Sequence, residues 1–117
     1  MTGPGGINQE ALDDLLDSVG GDQDFLAELI DTYLEDAPNL LSTIQTALAS
    51  GDTEALRRAA HSLKSNSANF GAQKLAQLCK ELEEAARRGE LEGGAGLAAQ
   101  ILAEYPRASR ELADLKP

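Results

Sequence analysis

Residues 52–72 read DTEALRRAAHSLKSNSANFGA, and this stretch decides the fold. Its apolar side chains are Ala55, Leu56, Ala59, Ala60 and Leu63, which recur at the spacing of one face of an α-helix. Asp52 or Thr53 can cap the start of that helix, and Gly71 suits the left-handed turn that ends it. The stretch therefore predicts an amphipathic helix followed by a tight reversal of the chain.

His61, the single histidine of the chain, lies opposite the apolar face of this helix. At 100° per residue the apolar positions fall between about 120° and 260° from His61, so its imidazole points into solvent. A solvated polar face that happens to hold a histidine is one interpretation. A nucleophilic site is the other, since neutral imidazole is a nucleophile near pH 7 and basic neighbours favour a phosphoryl group. The residues within about 60° on the same projection are Glu54, Arg57, Arg58, Lys64, Ser65 and Ala68.

Two helices are predicted before this stretch. The first is short and runs from Ile7 to Val19, where a pair of glycines ends it. The second begins after Asp22, a suitable N-cap, and carries its apolar stripe to Gly51. Pro38 interrupts the pattern, so the sequence leaves open whether this is one bent helix or two segments. The apolar face before the proline consists of Phe25, Leu26, Leu29, Ile30, Tyr33, Leu34 and Ala37.

Two more helices are predicted after the stretch. Ala72–Arg88 form the first of them, which ends at Gly89. Residues 89–96 are rich in glycine and predict a loose connection. The last helix then begins at Leu97 and continues past Pro106 to Leu115. Four long helical blocks with short connections predict an all-α fold, an up-down-up-down four-helix bundle with an additional short N-terminal helix.

Composition limits the possible functions. With 117 residues, 42% of them apolar, the chain has the length of one domain, which we place at residues 7–117 after a flexible leader at residues 1–6. A net charge of −10 disfavours nucleic acid and anionic membrane surfaces, and no apolar run reaches the roughly 20 residues of a membrane span. One cysteine and one histidine exclude an internal disulfide and a four-ligand zinc site. We expect a cytoplasmic protein with no metal site of its own, and a monomer because the bundle uses up the apolar stripes.

The motif around His61 resembles a known family. Residues 60–72, AHSLKSNSANFGA, closely resemble the histidine phosphotransfer (HPt) domains of multistep phosphorelays. The resemblance continues through Leu75, Leu78, Cys79, Leu82 and Glu83, and it covers about residues 20–90. Ser65 stands where many family members have glycine, and it keeps a small side chain at that position.

The resemblance implies a function for His61. Its Nε2 atom would accept a phosphoryl group from the aspartyl phosphate of a receiver domain and pass it to an aspartate of another receiver. The protein would be a phosphocarrier without autonomous catalytic activity, and its partners would be response-regulator receiver domains and a hybrid sensor histidine kinase. It would hold no cofactor of its own. Mg²⁺ would come with the receiver, because the exposed helix face offers no carboxylate cluster to hold the ion.

Two further residues are candidates for the phosphotransfer chemistry. Lys64, one turn after His61, would neutralise phosphoryl oxygens. Glu83 on the next helix could accept the Nδ1–H of His61, which would fix the tautomer and leave Nε2 free to attack. The alternative for Glu83 is a glutamate at the rim of the helix, paired with Lys80, Arg87 or solvent.

Four residues are candidates for partner binding. Arg57 and Arg58 could steer the acidic pocket of a receiver toward the histidine, although a basic patch often serves only solubility. Ser65 and Ala68 would be small docking positions that let a partner approach closely. Leu12 and Leu16 of the first helix could add apolar contact area, but core packing is the simpler expectation for them.

Other function classes remain to be weighed against the carrier. An HPt-like helical interaction module without phosphotransfer is the main alternative. A conventional enzyme is disfavoured, because a histidine on a convex helix lacks the pocket and the oxyanion site that nucleophilic catalysis needs.

Overall fold

The computed structural model describes residues 7–117 and contains five helices in that range. The leader expected at residues 1–6 lies outside the described residues. In chain order the helices are α1 (Gln9–Ser18), α2 (Gln23–Ser50), α3 (Thr53–Asn69), α4 (Gln73–Arg87) and α5 (Leu91–Leu115). None of the five is both long enough and apolar enough to cross a membrane.

Helices α2 to α5 form the predicted four-helix bundle. Each of them packs against the next, and α5 packs back against α2. The connections between them are only a few residues long, so neighbouring helices are antiparallel. The short helix α1 lies against α2 and α3, as expected for the additional N-terminal helix. Side chains with no exposed surface fill the centre, among them Ile30, Leu56, Leu63, Leu75, Leu82 and Ile101.

Helix α2 is one continuous helix of 28 residues, which settles the question that Pro38 leaves open in the sequence. Proline in a helix removes one backbone hydrogen bond and crowds the preceding turn. Pro38 lies on the exposed face of α2, so the apolar stripe of the helix stays in the core. Within the apolar stripe predicted for the first part of this helix, Phe25 is 45% exposed, whereas its neighbour Leu26 is buried.

The loose connection predicted over residues 89–96 was also wrong. Helix α5 begins at Leu91, so three glycines lie within its first two turns. Gly94 is buried, and a Cβ atom there would lie 3.4 Å from Leu82 and 3.5 Å from Leu48. The close approach of α5 to these side chains compensates for the low helix propensity of glycine.

The turn between α3 and α4 sets the heights of these two helices relative to each other. Gly71 adopts φ +77° in this turn, the left-handed conformation predicted for it. The segment before α1 is fastened to the same turn, because the Asn8 backbone N–H donates to the Gly71 carbonyl at 2.8 Å and Ile7 forms an antiparallel bridge with Ala72. The Ile7 N–H in turn donates to Glu111 Oε2 at 2.9 Å, which links the segment to α5.

Candidate functional site

His61 lies on the outer face of α3, where the helical projection places it. Its side chain is 54% exposed. The Nδ1 atom lies 2.9 Å from Oε2 of Glu83 on α4. A carboxylate only accepts hydrogen bonds, so Nδ1 carries the proton and donates it. The lone pair therefore resides on Nε2, which is the nucleophilic tautomer expected from the sequence.

Glu83 is the centre of the site, and it is buried, with only 5% of its surface exposed. The tight turn at Gly71 makes α3 and α4 an antiparallel pair, which brings Glu83 level with His61. Its Oε1 accepts a hydrogen bond from Lys64 Nζ at 2.7 Å. Its Oε2 accepts from His61 and also from Arg87 Nη2 at 3.3 Å. One carboxylate thus serves three nitrogen donors.

Burial acts to raise the pKa of the Glu83 carboxyl group. The hydrogen bonds from Lys64 and His61 outweigh this effect, so the pKa lies below its ordinary value. Glu83 is therefore ionised at neutral pH. Its negative charge faces Nδ1 of His61, and the other ring nitrogen, Nε2, is the one that points into solvent.

The two interpretations of Glu83 turn out to be compatible. The carboxylate reaches the histidine, and it also pairs with Arg87 as the alternative proposed. It does not lie at an exposed rim, and Lys80 is not among its hydrogen-bond partners. The sequence pattern missed the bond from Lys64. Lys64 lies one turn after His61 on the side of α3 that faces α4, so its ammonium group is within reach of Glu83.

The four residues predicted to bind a partner lie around the histidine. Ser65 and Ala68 are exposed on the helix surface that continues from His61. Arg58 is exposed on the side of α3 that faces α2. Arg57 forms a double hydrogen bond with Glu54, at 2.6 Å and 3.2 Å, so part of its charge is already matched within the chain. Of the two apolar residues considered on α1, Leu12 is buried and Leu16 is half-buried, so core packing accounts for Leu12.

The site is a convex surface with a free ring nitrogen at its centre. Within residues 7–117, no group of three or more His, Cys, Asp or Glu side chains is placed to hold a metal ion. A groove between α3 and α4 runs beside the site and is lined by Lys64, Ala68, Gln73, Ala76, Gln77 and Lys80. The surroundings of His61 are thus basic, and the reacting partner must bring the concave half of any active site.

Comparisons with known proteins agree with this geometry. The family model described as "Hpt domain" matches residues 28–111. The chain is 36% identical to histidine-containing phosphotransfer protein B (HptB) from Pseudomonas aeruginosa, with a TM-score of 0.86 over 94% of this chain and 93% of that one. It is 22% identical to the HPT domain of a sensor hybrid histidine kinase from Shewanella, with a TM-score of 0.72 over 93% and 92% of the two chains. This second likeness bears on the fold alone. Among curated proteins, none matches the chain significantly.

Proposed function

The chain belongs to the Hpt domain family, whose members are phosphorelay intermediates, and on that basis we propose that His61 is the residue that carries the phosphoryl group. One observation above all supports this assignment. The single histidine of the chain is exposed, and its Nδ1–H is held by the buried carboxylate of Glu83.

The proposed step is an exchange of one bond for another. The Nε2 lone pair of His61 attacks the phosphorus of an aspartyl phosphate on a receiver domain. A bond forms between Nε2 and phosphorus, the bond between phosphorus and the aspartate oxygen breaks, and the aspartate leaves as a carboxylate. The reverse step, on a second receiver, delivers the phosphoryl group and restores the neutral imidazole. No proton needs to leave the ring in either direction.

Glu83 contributes by stabilising charge. When Nε2 forms the new bond while Nδ1 keeps its proton, the ring gains positive charge. The Glu83 carboxylate lies 2.9 Å from Nδ1 and faces this charge, as the orienting carboxylate does in a catalytic triad. Glu83 also holds the ring in one orientation, so Nε2 is directed at the incoming phosphorus.

Lys64 and Arg87 supply positive charge near the phosphoryl group. Both side chains reach Glu83 in the resting protein. Lys64 is 29% exposed and has a flexible stem, so its ammonium group can turn from Glu83 toward phosphoryl oxygens once His61 is modified. The new phosphoryl group carries about −1.5 to −2 charges, which favours this exchange.

Partners complete the reaction. We propose that receiver domains supply the acceptor and donor aspartates, that a hybrid sensor kinase is the upstream source, and that Mg²⁺ enters with the receiver. The chain itself then acts as a monomeric cytoplasmic carrier and catalyses no reaction alone. The groups around His61 orient one ring and match its charge, and the concave partner provides the rest of the active site.

The decisive experiment follows transfer of a labelled phosphoryl group. A receiver domain phosphorylated on its aspartate is mixed with the wild-type chain in the presence of Mg²⁺, and with His61→Gln as the matched variant. An acid-labile, base-stable adduct on the wild-type chain alone supports the proposal. Receiver binding without transfer to the wild type would contradict it and would favour an interaction module without phosphotransfer.

A further inference from the structure

A cleft between α4 and α5 contains a buried carboxylate. Glu104 lies on α5 three residues after Ile101 and four before Ala108, both of which are buried, and only 6% of its own surface is exposed. It therefore occupies a position in the apolar stripe of the helix. The cleft has a volume of about 310 Å³, at the small end of the roughly 300–1,000 Å³ typical of small-molecule sites. Its lining residues are Lys74, Leu78, Gln100, Ala103, Glu104 and Arg107.

The carboxylate of Glu104 is poorly matched within the protein. Across residues 7–117, its Oε2 is the one buried side-chain nitrogen or oxygen that has no hydrogen-bond partner. Lys74 Nζ lies 3.9 Å from Oε1, which is beyond hydrogen-bond distance. A buried carboxylate without donors lowers the stability of a fold, so core packing alone gives no reason for a glutamate at this position.

The mouth of the cleft is basic. The side chain of Lys74 is about half exposed, and Arg107 and Gln100 are exposed on α5. Arg107 follows Glu104 by three residues, so the two side chains share one side of the helix. A ligand with only a positive charge would be repelled at the mouth, and one with only a negative charge would be repelled by Glu104. A ligand with both charges close together matches the whole cleft.

We infer that this cleft binds a small α-amino acid with an aliphatic side chain. The ammonium group of the ligand donates to the Glu104 carboxylate, and its carboxylate pairs with Lys74 and Arg107. Its aliphatic side chain lies against Leu78 and Ala103. The terminal torsion of a glutamate is broad, so Glu104 can turn either oxygen toward the ligand. Binding thus supplies the donors that the buried carboxylate lacks.

The cleft is separate from the site at His61. Lys74 precedes Glu83 by nine residues on α4, which is about two and a half turns, so the two side chains leave the helix on opposite faces. The amino acid and a partner of His61 can therefore be bound at the same time. The inference goes beyond the proposed function and does not rest on it.

The test is an NMR titration of the ¹⁵N-labelled chain at pH 7 with L-alanine and with L-valine. Propionate and ethylamine are the matched probes, because each lacks one of the two charged groups of L-alanine. We expect saturable shifts of the backbone amide signals of Lys74, Leu78 and Glu104 with the amino acids. The dissociation constants of propionate and ethylamine should be at least tenfold higher than that of L-alanine. Absence of saturable shifts with both amino acids, or equally tight binding of propionate, would overturn the inference.

Three variants locate the binding determinants. Glu104→Gln keeps the shape of the side chain and removes its charge, so L-alanine should bind at least tenfold more weakly. Glu28→Gln is the matched control, because it makes the same change in net charge at an exposed position of α2, and its affinity should stay within about twofold of the wild type. Lys74→Met alters only an exposed side chain of the cleft and should weaken binding several-fold. Wild-type affinity in both Glu104→Gln and Lys74→Met would contradict the proposed site.

Thermal unfolding gives an independent measurement. Saturating L-alanine should raise the thermal midpoint of the wild type and of Glu28→Gln, because a ligand that binds only the folded state stabilises it, and should leave that of Glu104→Gln unchanged. Without ligand, Glu104→Gln should be at least as stable as the wild type, since it removes an unmatched buried charge. A lower midpoint of this variant without ligand would show that Glu104 has its partner inside the protein, and it would overturn the inference. No phosphoryl transfer enters these measurements, so their failure would leave the proposed function untouched.

Discussion

At the scale of single residues, the site depends on one buried carboxylate shared by three nitrogen donors. The exposure of His61 and the reach of Glu83 could both be predicted from the sequence, because helix periodicity and an antiparallel neighbour determine them. The bonds from Lys64 and Arg87 to that same carboxylate could not be predicted together. The bond from Lys64 depends on how closely α3 approaches α4, whereas Arg87 lies four residues after Glu83 on α4 itself.

Replacing Glu83 should slow phosphoryl uptake in a graded way. Glu83→Gln keeps an oxygen that accepts from Nδ1 but removes the charge, and a charge-assisted hydrogen bond is worth roughly 1–2 kcal/mol more than a neutral one. We expect a loss of about tenfold in the rate constant for Gln, since 1.36 kcal/mol corresponds to tenfold, and a larger loss for Glu83→Ala. Stopped-flow or quench-flow transfer from a phosphorylated receiver measures both.

A spectroscopic measurement distinguishes a role of Glu83 in orienting the His61 ring from a role in the stability of the fold. Long-range ¹H–¹⁵N NMR of the imidazole should show the Nδ1–H tautomer in the wild type and a mixture rich in Nε2–H in Glu83→Ala. An unchanged tautomer in the Ala variant would contradict the positioning role.

Stability should depend on the ionisation of Glu83 at acid pH. Its carboxyl pKa is lowered in the folded protein, where the bonds from Lys64 and His61 outweigh the opposing effect of burial. Between the folded and unfolded pKa values the unfolded state binds more protons than the folded state. The stabilisation from ionised Glu83 is therefore fully present above the ordinary pKa of a glutamate, and it is lost as pH falls through the pKa in the folded protein. The free energy of unfolding, measured with urea, should fall between pH 7 and pH 3, and it should fall less in Glu83→Gln. An equal fall in the free energy of unfolding for the wild type and Glu83→Gln over this pH range would argue against a contribution from Glu83 ionisation.

At the scale of elements, glycine positions explain where sequence reasoning succeeds and where it fails. Gly71 ends α3 in the left-handed conformation, as its place after the apolar stripe predicts. Gly93, Gly94 and Gly96 look the same in the sequence, yet they lie inside α5. What distinguishes the two cases is the close packing of Gly94 on Leu82 and Leu48, a tertiary contact that local propensity does not contain.

Gly71→Ala should destabilise the protein strongly. A Cβ atom at this position would lie 2.6 Å from the Asn8 carbonyl oxygen, and φ +77° adds strain of about 1 kcal/mol for any L side chain. Gly20→Ala is the matched control, because Gly20 has φ +71° and nothing within 4 Å of the added atom. We expect the free energy of unfolding, measured with urea, to fall further for Gly71→Ala. Equal losses would mean that the segment before α1 moves aside freely.

Gly93→Ala should stabilise the protein. Gly93 lies in the first turn of α5 with open space around it, so an added methyl group meets no neighbour. Alanine is favoured over glycine in a helix by up to about 1 kcal/mol, and differential scanning calorimetry should show a rise of several degrees in Tm. A lower Tm would indicate that α5 needs flexibility at its start.

At the scale of the whole molecule, the bundle was predictable because the four amphipathic helices can bury their apolar stripes by packing against one another. Two details of the bundle were less predictable from the sequence. The continuity of α2 through Pro38 and the fastening of Ile7 to Glu111 both depend on long-range contacts. Cys79 lies fully buried in the core, as its place in the apolar stripe of α4 indicates.

The single thiol therefore reports on the integrity of the bundle. Burial raises the pKa of Cys79 to about 12, so the native protein holds almost no thiolate at pH 8. We expect Ellman's reagent to react slowly with the folded chain and at once with the chain in 8 M urea. Fast reaction in the folded state would reveal frequent opening of α4.

The position of His61 on a single convex face has a kinetic consequence for signal flow. Under the proposed function, the donor and the acceptor of the phosphoryl group need the same nitrogen, because the chain has no second histidine. The two partners must therefore take turns, so an excess of the upstream receiver occupies the carrier and delays the downstream one. Output should rise with upstream supply, pass through a maximum and then fall, and the relay would respond most strongly when its two receivers are matched in abundance.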